Sequence, residues 1–242
     1  MTLRFFVWNC NATLHKKVKP ILALQPDIAV ISDCANPDAV LRRAPDFKFT
    51  DAVWVGHSRN KGLGVFSFGE ILTVASTVYD PKYGLFLPVV LLGRHHLNIL
   101  AVWIRSHPSR RRAQGNGKSP RSALQYYRNF IDKESTLVVG DLNGATPGRT
   151  PCRNLDLSHI SDELMKDGWV SAWRPRGNEA PGAVPATASL RKKGARRSQR
   201  IDCCLIPRGW LPGLQSATVC KTHPWGEMSH HLPLVVDVVP AA

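Results

Sequence analysis

Short apolar segments that end in polar residues recur along most of the chain. The first, LRFFVWN (Leu3 to Asn9), precedes LHKKVKPILALQ, whose apolar positions repeat at helical spacing, and then PDIAVIS (Pro26 to Ser32). Apolar runs of roughly four to eight residues are typical of buried strands, and apolar positions three or four apart indicate a helix. Because Pro20 lacks a backbone N–H, this helix is expected to start late or to kink. A strand–helix–strand start predicts an α/β protein.

The middle of the chain carries strand candidates at hairpin spacing, namely FKFTDAVWV, GLGVFSF, ILTVAST, LFLPVVLLG and HLNILAVWI. Such spacing predicts antiparallel pairing. Helices are predicted over PRSALQYYRNFIDK and over LSHISDELMKDG, the second with Ser158 as its N-cap and Gly168 as its stop. Further strands are predicted over STLVVGDLN, RIDCCLIP, SATVCK and LPLVVDVV. Neither a repeat nor a linker divides the chain, so residues 1–242 are expected to form a single domain.

The charge of the chain points to an anionic partner. The 242 residues carry a formal net charge of +14, with 43% hydrophobic residues. The hydrophobic content supports a buried core, and the charge favours nucleic acid, an anionic membrane surface or a phosphorylated substrate. No acidic residue occurs from Pro81 to Ile131. This stretch includes RSHPSRRRAQGNGKSPR, and a second basic segment, LRKKGARRSQR, begins at Leu190. Gly and Ser interrupt both segments, and Pro also interrupts the first, which predicts basic loops suited to phosphate contacts.

Cysteine spacing and hydropathy predict a reduced protein without a membrane anchor. None of the six cysteines forms C-x-x-C, which argues against a zinc ribbon or a thioredoxin-type site. The N-terminus MTLRFFVWNC has no signal-peptide core, and the run LFLPVVLLG is shorter than the about 20 residues that span a bilayer. A cytoplasmic location is therefore expected.

Polar residues stand where apolar strands begin or end. Carboxylates and carboxamides at strand ends meet at the loop edge of a sheet, where they can hold a hard cation such as Mg²⁺. The residues in question are Asn9, Asp33, Asp141, Asn143, Asp202, His230 and His231.

The order of these motifs resembles a known family. WNCN, PDIAVISD, GLGVFSF, GDLN, RID and SHHLPL follow one another as in the exonuclease–endonuclease–phosphatase (deoxyribonuclease I-like) superfamily. The resemblance extends from Leu3 to Val238. It implies a four-layer α/β sandwich, in which two mixed, mostly antiparallel sheets pack face to face and are flanked by helices. It also implies Mg²⁺-dependent hydrolysis of phosphoesters.

The resemblance assigns catalytic roles to four residues. Asp141 matches the aspartate that orients and activates the attacking water, and Asn143 matches the asparagine that contacts the phosphate. His231 matches the histidine that stabilises charge on the phosphoryl oxygens, and Asp202 matches its carboxylate partner. An imidazolium held by a carboxylate has the charge that such a role needs, since the partner raises its pKa.

The expected metal ligands depart from the family pattern at two positions. Asn9 matches the asparagine at the metal site, but Asp33 stands where the family has glutamate, and its side chain is shorter by roughly one C–C bond, about 1.5 Å. His230 stands where the family has the aspartate of Ser-Asp-His. Imidazole is a poor ligand for Mg²⁺ and a better one for Mn²⁺, so Mn²⁺ is the alternative cofactor.

Basic side chains are expected to bind the phosphates of nucleic acid. The family's mid-chain phosphate contact has no evident tyrosine or lysine here, and Arg105 or His107 is a candidate to replace it. The full set of expected phosphate-binding residues is Arg105, His107, Arg110, Arg111, Arg112, Lys192, Lys193, Arg196 and Arg197.

The favoured function is a metal-dependent phosphodiesterase, an endonuclease or exonuclease that attacks nucleic acid with an activated water. DNA is preferred to RNA as the partner, and a monomer is expected. The two substitutions motivate an alternative, in which a weakened or inactive member of the family binds nucleic acid. A phosphatase acting on a small phosphoester is the remaining alternative.

Overall fold

Two six-stranded β-sheets form the centre of the molecule. The structure, a computed structural model, describes residues 1–104, 119–131, 135–142, 163–173, 188–192, 195–199 and 202–241. The strands of these ranges are β1 Leu3–Asn9, β2 Ile28–Cys34, β3 Asp51–Ser58, β4 Lys61–Ser67, β5 Leu72–Ala75, β6 Phe86–Leu92, β7 Leu97–Trp103, β8 Thr136–Asp141, β9 Trp169–Ser171, β10 Ala188–Lys192, β11 Ala195–Gln199, β12 Asp202–Pro207, β13 Leu214–Val219 and β14 Leu234–Val238.

The helices are short. The α-helices are α1 Val18–Ala23, α2 Pro37–Leu41, α3 Pro120–Tyr126 and α4 Trp225–Met228. The 3₁₀ turns are Leu14–Lys16, Pro81–Tyr83, Tyr127–Asn129 and Arg208–Gly213. Pro20 lies in the first turn of α1, where a missing N–H breaks no helical hydrogen bond. The predicted late start is therefore confirmed.

Both sheets mix parallel and antiparallel pairs. The first has the strand order β13-β14-β1-β2-β4-β3, and only β1 and β2 run parallel. The second has the order β5-β6-β7-β8-β12-β9, and only β7 and β8 run parallel. The predicted pair of mixed, mostly antiparallel sheets is confirmed.

Three apolar clusters separate four layers. The largest lies between the sheets and includes Phe5 and Val30 from the first sheet and Leu87, Ile99 and Val139 from the second. Alternating side chains on the strands fill this layer, since successive residues of a strand point to opposite faces. A second cluster packs α1, α2 and α4 on the outside of the first sheet, and a third packs α3 on the outside of the second. The predicted helix–sheet–sheet–helix sandwich is thus confirmed.

The second basic segment is not a loop, and that prediction was wrong. Strands β10 and β11 form a separate antiparallel hairpin in which Leu190 pairs with Arg197. Strand pairing uses backbone groups, so Arg and Lys side chains do not prevent it. Four basic residues of this segment are therefore carried by strands, namely Arg191, Lys192, Arg196 and Arg197.

Two further predictions can be compared with the described residues. Cys203 and Cys204 contribute to clusters on opposite faces of the second sheet, as their adjacency predicts. The five cysteines in the described part of the chain, Cys10, Cys34, Cys203, Cys204 and Cys220, are all free. None of the helices that the structure describes combines the length and the apolarity needed to cross a bilayer.

Candidate active site

The polar strand ends meet at one edge of the sandwich. Asn9 is the last residue of β1, and Asp33 lies near the end of the parallel strand β2. Asp141 ends β8 in the other sheet, and Asp202 begins the antiparallel neighbour β12 directly opposite it. All four side chains are buried. We call this edge, with His231, the carboxylate rim.

A hydrogen bond between Asn9 and Asp141 joins the two sheets. The amide Nδ2 of Asn9 donates to Oδ2 of Asp141 at 2.7 Å. The amide oxygen of Asn9 accepts from the backbone N–H of Asn11 at 3.0 Å, which fixes the orientation of the amide. The carboxylate of Asp141, which is buried, is thereby given a donor from the opposite sheet and a fixed orientation.

Asp202 and His231 form a second link between the sheets. Nδ1 of His231 lies 2.9 Å from Oδ2 of Asp202, whose side chain is fully buried. Burial lowers the pKa of His231, but the charge and hydrogen bond of Asp202, with the charges of Asp141 and Asp33, outweigh burial and raise the pKa to about 9. The imidazole is therefore a cation at neutral pH, and its Nδ1–H donates to Asp202.

Two neighbouring side chains fix the backbone at His231. The indole Nε1 of Trp8 donates to the carbonyl of His231 at 2.7 Å. The hydroxyl of Ser229 donates to the carbonyl of Asn9 at 2.8 Å and accepts from the N–H of His231 at 3.1 Å. Sequence reasoning gave neither Trp8 nor Ser229 a role at the site. The position of Ser229 in the SHH motif was the available signal.

Gly140 allows Asp141 to reach the rim. The residue has a φ of 137°, which L side chains rarely adopt. A Cβ at this position would also overlap the carbonyl of Val102 on the parallel neighbour β7. The glycine in GDLN is therefore a requirement of the strand, and it places the next residue at the edge of the sheet.

Asp33 sits in a β-bulge. The pairing of β2 with β4 shifts between Ser32 and Cys34, so Asp33 is the extra residue, and its φ is 55°. A bulge redirects a side chain, and a non-glycine residue in this conformation typically costs on the order of 1–3 kcal/mol. The redirected carboxylate lies 3.0 Å, measured at Oδ1, from Nζ of Lys61. Sequence reasoning missed Lys61, because nothing local in the sequence pairs it with Asp33.

A buried lysine supports the loop that follows Asn9. Residues 11–13 all have φ between 50° and 60°. Nζ of Lys17 donates to the carbonyls of Cys10 and Ala12, the latter at 2.9 Å, so it joins the two ends of this loop. Burial lowers the pKa of Lys17. The role of Lys17 was also missed, because the contact depends on the unusual backbone of the loop.

Three side chains, those of Asp141, Asp202 and His231, each place a carboxylate oxygen or an imidazole nitrogen within 4.8 Å of the others. Such a group of atoms can hold a metal ion. The hydrogen bond between Asp202 and His231 already commits Nδ1 and Oδ2, however, and an imidazolium repels cations. Asp33 has a buried Oδ1 that accepts no hydrogen bond. Its oxygen suits a hard cation, so the rim fits a divalent ion better on the side of Asp33.

The predicted metal ligands Asn9, Asp33 and His230 do not all lie close together in the structure. Asn9 and Asp33 lie at the rim, but Asp33 is outside the group of acidic and imidazole atoms within 4.8 Å of one another. The side chain of His230 is exposed. This exposure suits a solvated imidazole better than a buried ligand.

Most of the predicted phosphate-binding residues lie outside the described part of the chain, and three lie on the strands β10 and β11. Lys192 ends β10, and Arg196 and Arg197 lie on β11. The catalytic candidate Asn143 also lies outside the described residues, as do Arg105, His107, Arg110, Arg111, Arg112 and Lys193.

Solved structures share this fold over their whole length. An AP endonuclease from Archaeoglobus fulgidus has 18% identity, a TM-score of 0.68 and coverage of 97% of this chain and 98% of its own. The 3′ phosphatase NExo from Neisseria, solved with a product DNA hairpin, has 17% identity, a TM-score of 0.67 and coverage of 98% and 99%. The endonuclease domain of TRAS1, a telomere-specific non-LTR retrotransposon, has 12% identity, a TM-score of 0.67 and coverage of 99% of both chains.

Comparisons of the sequence alone found no match. No protein-family model matches the chain, and no curated protein matches it. The structural similarities confirm the fold expected from the motif order.

Proposed function

We propose that this chain, which has the endonuclease/exonuclease/phosphatase fold, hydrolyses phosphodiester bonds of nucleic acid. One observation carries the proposal. Two hydrogen-bonded pairs, Asn9 with Asp141 and Asp202 with His231, each join the two sheets and lie side by side at one edge. They combine an anionic proton acceptor with a buried cation. Hydrolysis of a phosphodiester requires both: the acceptor takes a proton from the attacking water, and the cation stabilises the negative charge of the transition state.

Each residue of the rim has a role in this reaction. Asp141 accepts a proton from the attacking water as the new P–O bond forms, and Asn9 keeps its carboxylate oriented. The His231 imidazolium stabilises the charge that grows on the phosphoryl oxygens while the bond to the leaving oxygen breaks. Asp202 keeps that imidazole charged and fixes which nitrogen faces the substrate. Asn143, two residues after Asp141, is proposed to contact the phosphate.

A divalent cation, Mg²⁺ or Mn²⁺, is part of the proposal. Bound at the rim, it would neutralise phosphoryl oxygens and lower the pKa of water. Asp33 and Asp141 are the residues proposed to hold it, because both offer hard carboxylate oxygens at the same edge. Asn9 supports this site through its bond to Asp141.

Nucleic acid is the favoured substrate, with DNA preferred to RNA. The net charge of +14 favours a polyanion over a small phosphoester. The similar structure of NExo was solved with a DNA hairpin, which supports DNA for this chain. Both endonuclease and exonuclease activity are compatible with the rim, as is an inactive protein that binds nucleic acid.

The test is hydrolysis of plasmid, abasic-site duplex and RNA with Mg²⁺ or Mn²⁺. Asp141→Asn and His231→Gln are each expected to lower kcat roughly 100- to 1000-fold, since each removes a group that acts in the transition state. Asp46→Asn is the matched control, because it removes an exposed carboxylate away from the rim and should leave kcat unchanged. An inactive wild-type protein that still binds DNA would favour the binding alternative, and equal loss in all three variants would refute the assigned roles.

A further inference from the structure

Lys61 places an ammonium group inside the carboxylate rim. It is the first residue of β4 and pairs with Ser58 across a tight hairpin, so its backbone is fixed. Its Nζ lies 3.0 Å from Oδ1 of Asp33 and donates to Oδ2 at 3.2 Å. The contact with Oδ1 is one of charge, because hydrogen-bond geometry is reached only at Oδ2.

The same ammonium also contacts the second sheet. Nζ lies 5.9 Å from the ring centroid of Trp103, at the end of β7, which is within the distance for a cation–π contact. Trp103 pairs with Asp141 in the sheet. Lys61 therefore directs its charge into the space between Asp33 and the residues of the opposite sheet, and this is the side of the rim that suits a divalent cation.

A second ammonium near Asp33, that of the buried Lys17, is already committed. Burial lowers the pKa of Lys17 and the charge of Asp33 partly offsets this, but Nζ of Lys17 is hydrogen-bonded to backbone carbonyls of the loop after Asn9. Lys61 is different, because its side chain is 39% exposed and its charge contact is with the carboxylate itself. Its ammonium can leave Asp33 and be hydrated instead, because the side chain already reaches solvent.

We propose that Lys61 is the resident counter-ion of Asp33 and that a divalent cation binds the rim only by displacing it. Two like charges cannot share one carboxylate at contact distance without strong repulsion. The short side chain of Asp33 is consistent with this arrangement, because an ammonium at the end of a long, flexible chain reaches it easily. Lys61 thereby sets the metal affinity of the rim. This inference rests on one part of the proposed function, namely that a divalent cation binds at the carboxylate rim.

The test is direct binding of Mn²⁺, followed by the electron paramagnetic resonance signal of the free ion. Lys61→Met is expected to bind Mn²⁺ about tenfold tighter than the wild type or more, because the competing charge is gone. Lys61→Gln should behave like Lys61→Met, and it retains a polar group if the methionine variant does not fold. Lys61→Arg keeps the charge and should bind as weakly as the wild type.

Two controls assign the effect to this ion pair. Arg94→Met also removes one positive charge, but from an exposed ion pair with Glu70 that is not part of the carboxylate rim. It should therefore change Mn²⁺ affinity less than twofold. In the double variant Asp33→Asn with Lys61→Met, the gain in affinity should disappear, because the carboxylate that binds the ion is lost. Unchanged or weaker Mn²⁺ binding in both Lys61→Met and Lys61→Gln would overturn the proposal.

This readout separates the inference from the proposed function. Tighter Mn²⁺ binding by Lys61→Met with no hydrolysis by any form would support the counter-ion and refute the phosphodiesterase. Hydrolysis by the wild type together with unchanged Mn²⁺ affinity in the Lys61 variants would support the phosphodiesterase and refute the role of Lys61 as counter-ion.

Discussion

At the scale of single residues, the charge on His231 is the most consequential feature of the rim. Only 13% of its side chain is exposed, so a cation here must be compensated from within the protein. The carboxylate of Asp202 provides that compensation at 2.9 Å, and Asp141 and Asp33 add to it. Asp33 and Asp141, the two residues proposed to hold a divalent cation, therefore also help to keep the imidazole protonated, which links the two cations of the proposed mechanism.

The raised pKa of His231 predicts a specific loss of stability at alkaline pH. Because the folded-state pKa is about 9 and the ordinary value is 6.5, the stabilisation is complete below about pH 6.5 and is lost as pH rises through 9. The free energy of unfolding should therefore fall by roughly 3 kcal/mol more in the wild type than in His231→Gln between pH 6.5 and 10. Denaturant unfolding at both pH values measures this, and parallel pH dependence of the two proteins would contradict it.

Sequence reasoning identified some residues of the rim and missed others for a clear reason. Asp202 and His231 were paired in advance because each stands in a recognisable motif at a strand end. Lys61, Ser229 and Trp8 act through contacts between segments far apart in the chain, such as the 220 positions between Ser229 and Asn9. Such contacts depend on how the sheets pack, which a local pattern does not encode.

At the scale of elements, most strands and the helices α1 and α3 were predictable, whereas the helices α2 and α4 and the strands β10 and β11 were not. Strands such as β1 and β8 are long apolar runs with clear ends, whereas α4 has four residues and too few positions to show a helical period. The helix α2 was missed although it carries a signal, since Asn36 caps it and Pro37 opens it. The extra residue at Asp33 was not predictable either, because a bulge leaves no mark in an otherwise apolar strand.

Because Gly140 lets β8 place Asp141 at the rim, replacing glycines by alanine should destabilise the protein to different degrees at different positions. Gly140→Ala combines a positive φ with a clash against the carbonyl of Val102, whereas Gly168→Ala has only the positive φ and Gly209→Ala has neither. We expect Gly168→Ala to lower the free energy of unfolding by about 1–2 kcal/mol and Gly140→Ala to lower it by more. Gly209→Ala should be nearly neutral. Denaturant unfolding of all three checks the order, and equal effects at Gly140 and Gly209 would show that β8 tolerates a side chain there.

At the scale of the whole molecule, a cluster of carboxylates lies within a strongly basic chain. Asp33, Asp141 and Asp202 converge on one edge, whereas the formal net charge is +14. A polyanion is attracted by the chain as a whole but repelled locally by the rim unless cations occupy it. Long-range attraction and local chemistry are therefore carried by different parts of the protein, so substitutions can separate binding from hydrolysis.

The basic hairpin predicts how binding depends on salt. Each phosphate contact contributes about 0.9 to the slope of log affinity against log salt for duplex DNA, so losing two contacts should lower the slope by about 1 to 2. We expect this for the double variant Arg196→Gln with Arg197→Gln, measured by fluorescence anisotropy of a labelled DNA hairpin between about 50 and 200 mM salt.

The matched control removes the same charge elsewhere. Lys48 and Arg94 are exposed, and Lys48→Gln with Arg94→Gln should leave the slope as in the wild type. An equal reduction of the slope in both double variants would mean that net charge alone governs binding. An unchanged slope in the hairpin variant would mean that β11 does not contact phosphates. Because neither pair belongs to the carboxylate rim, kcat at saturating substrate should be the same in both variants, which distinguishes weakened binding from damaged chemistry.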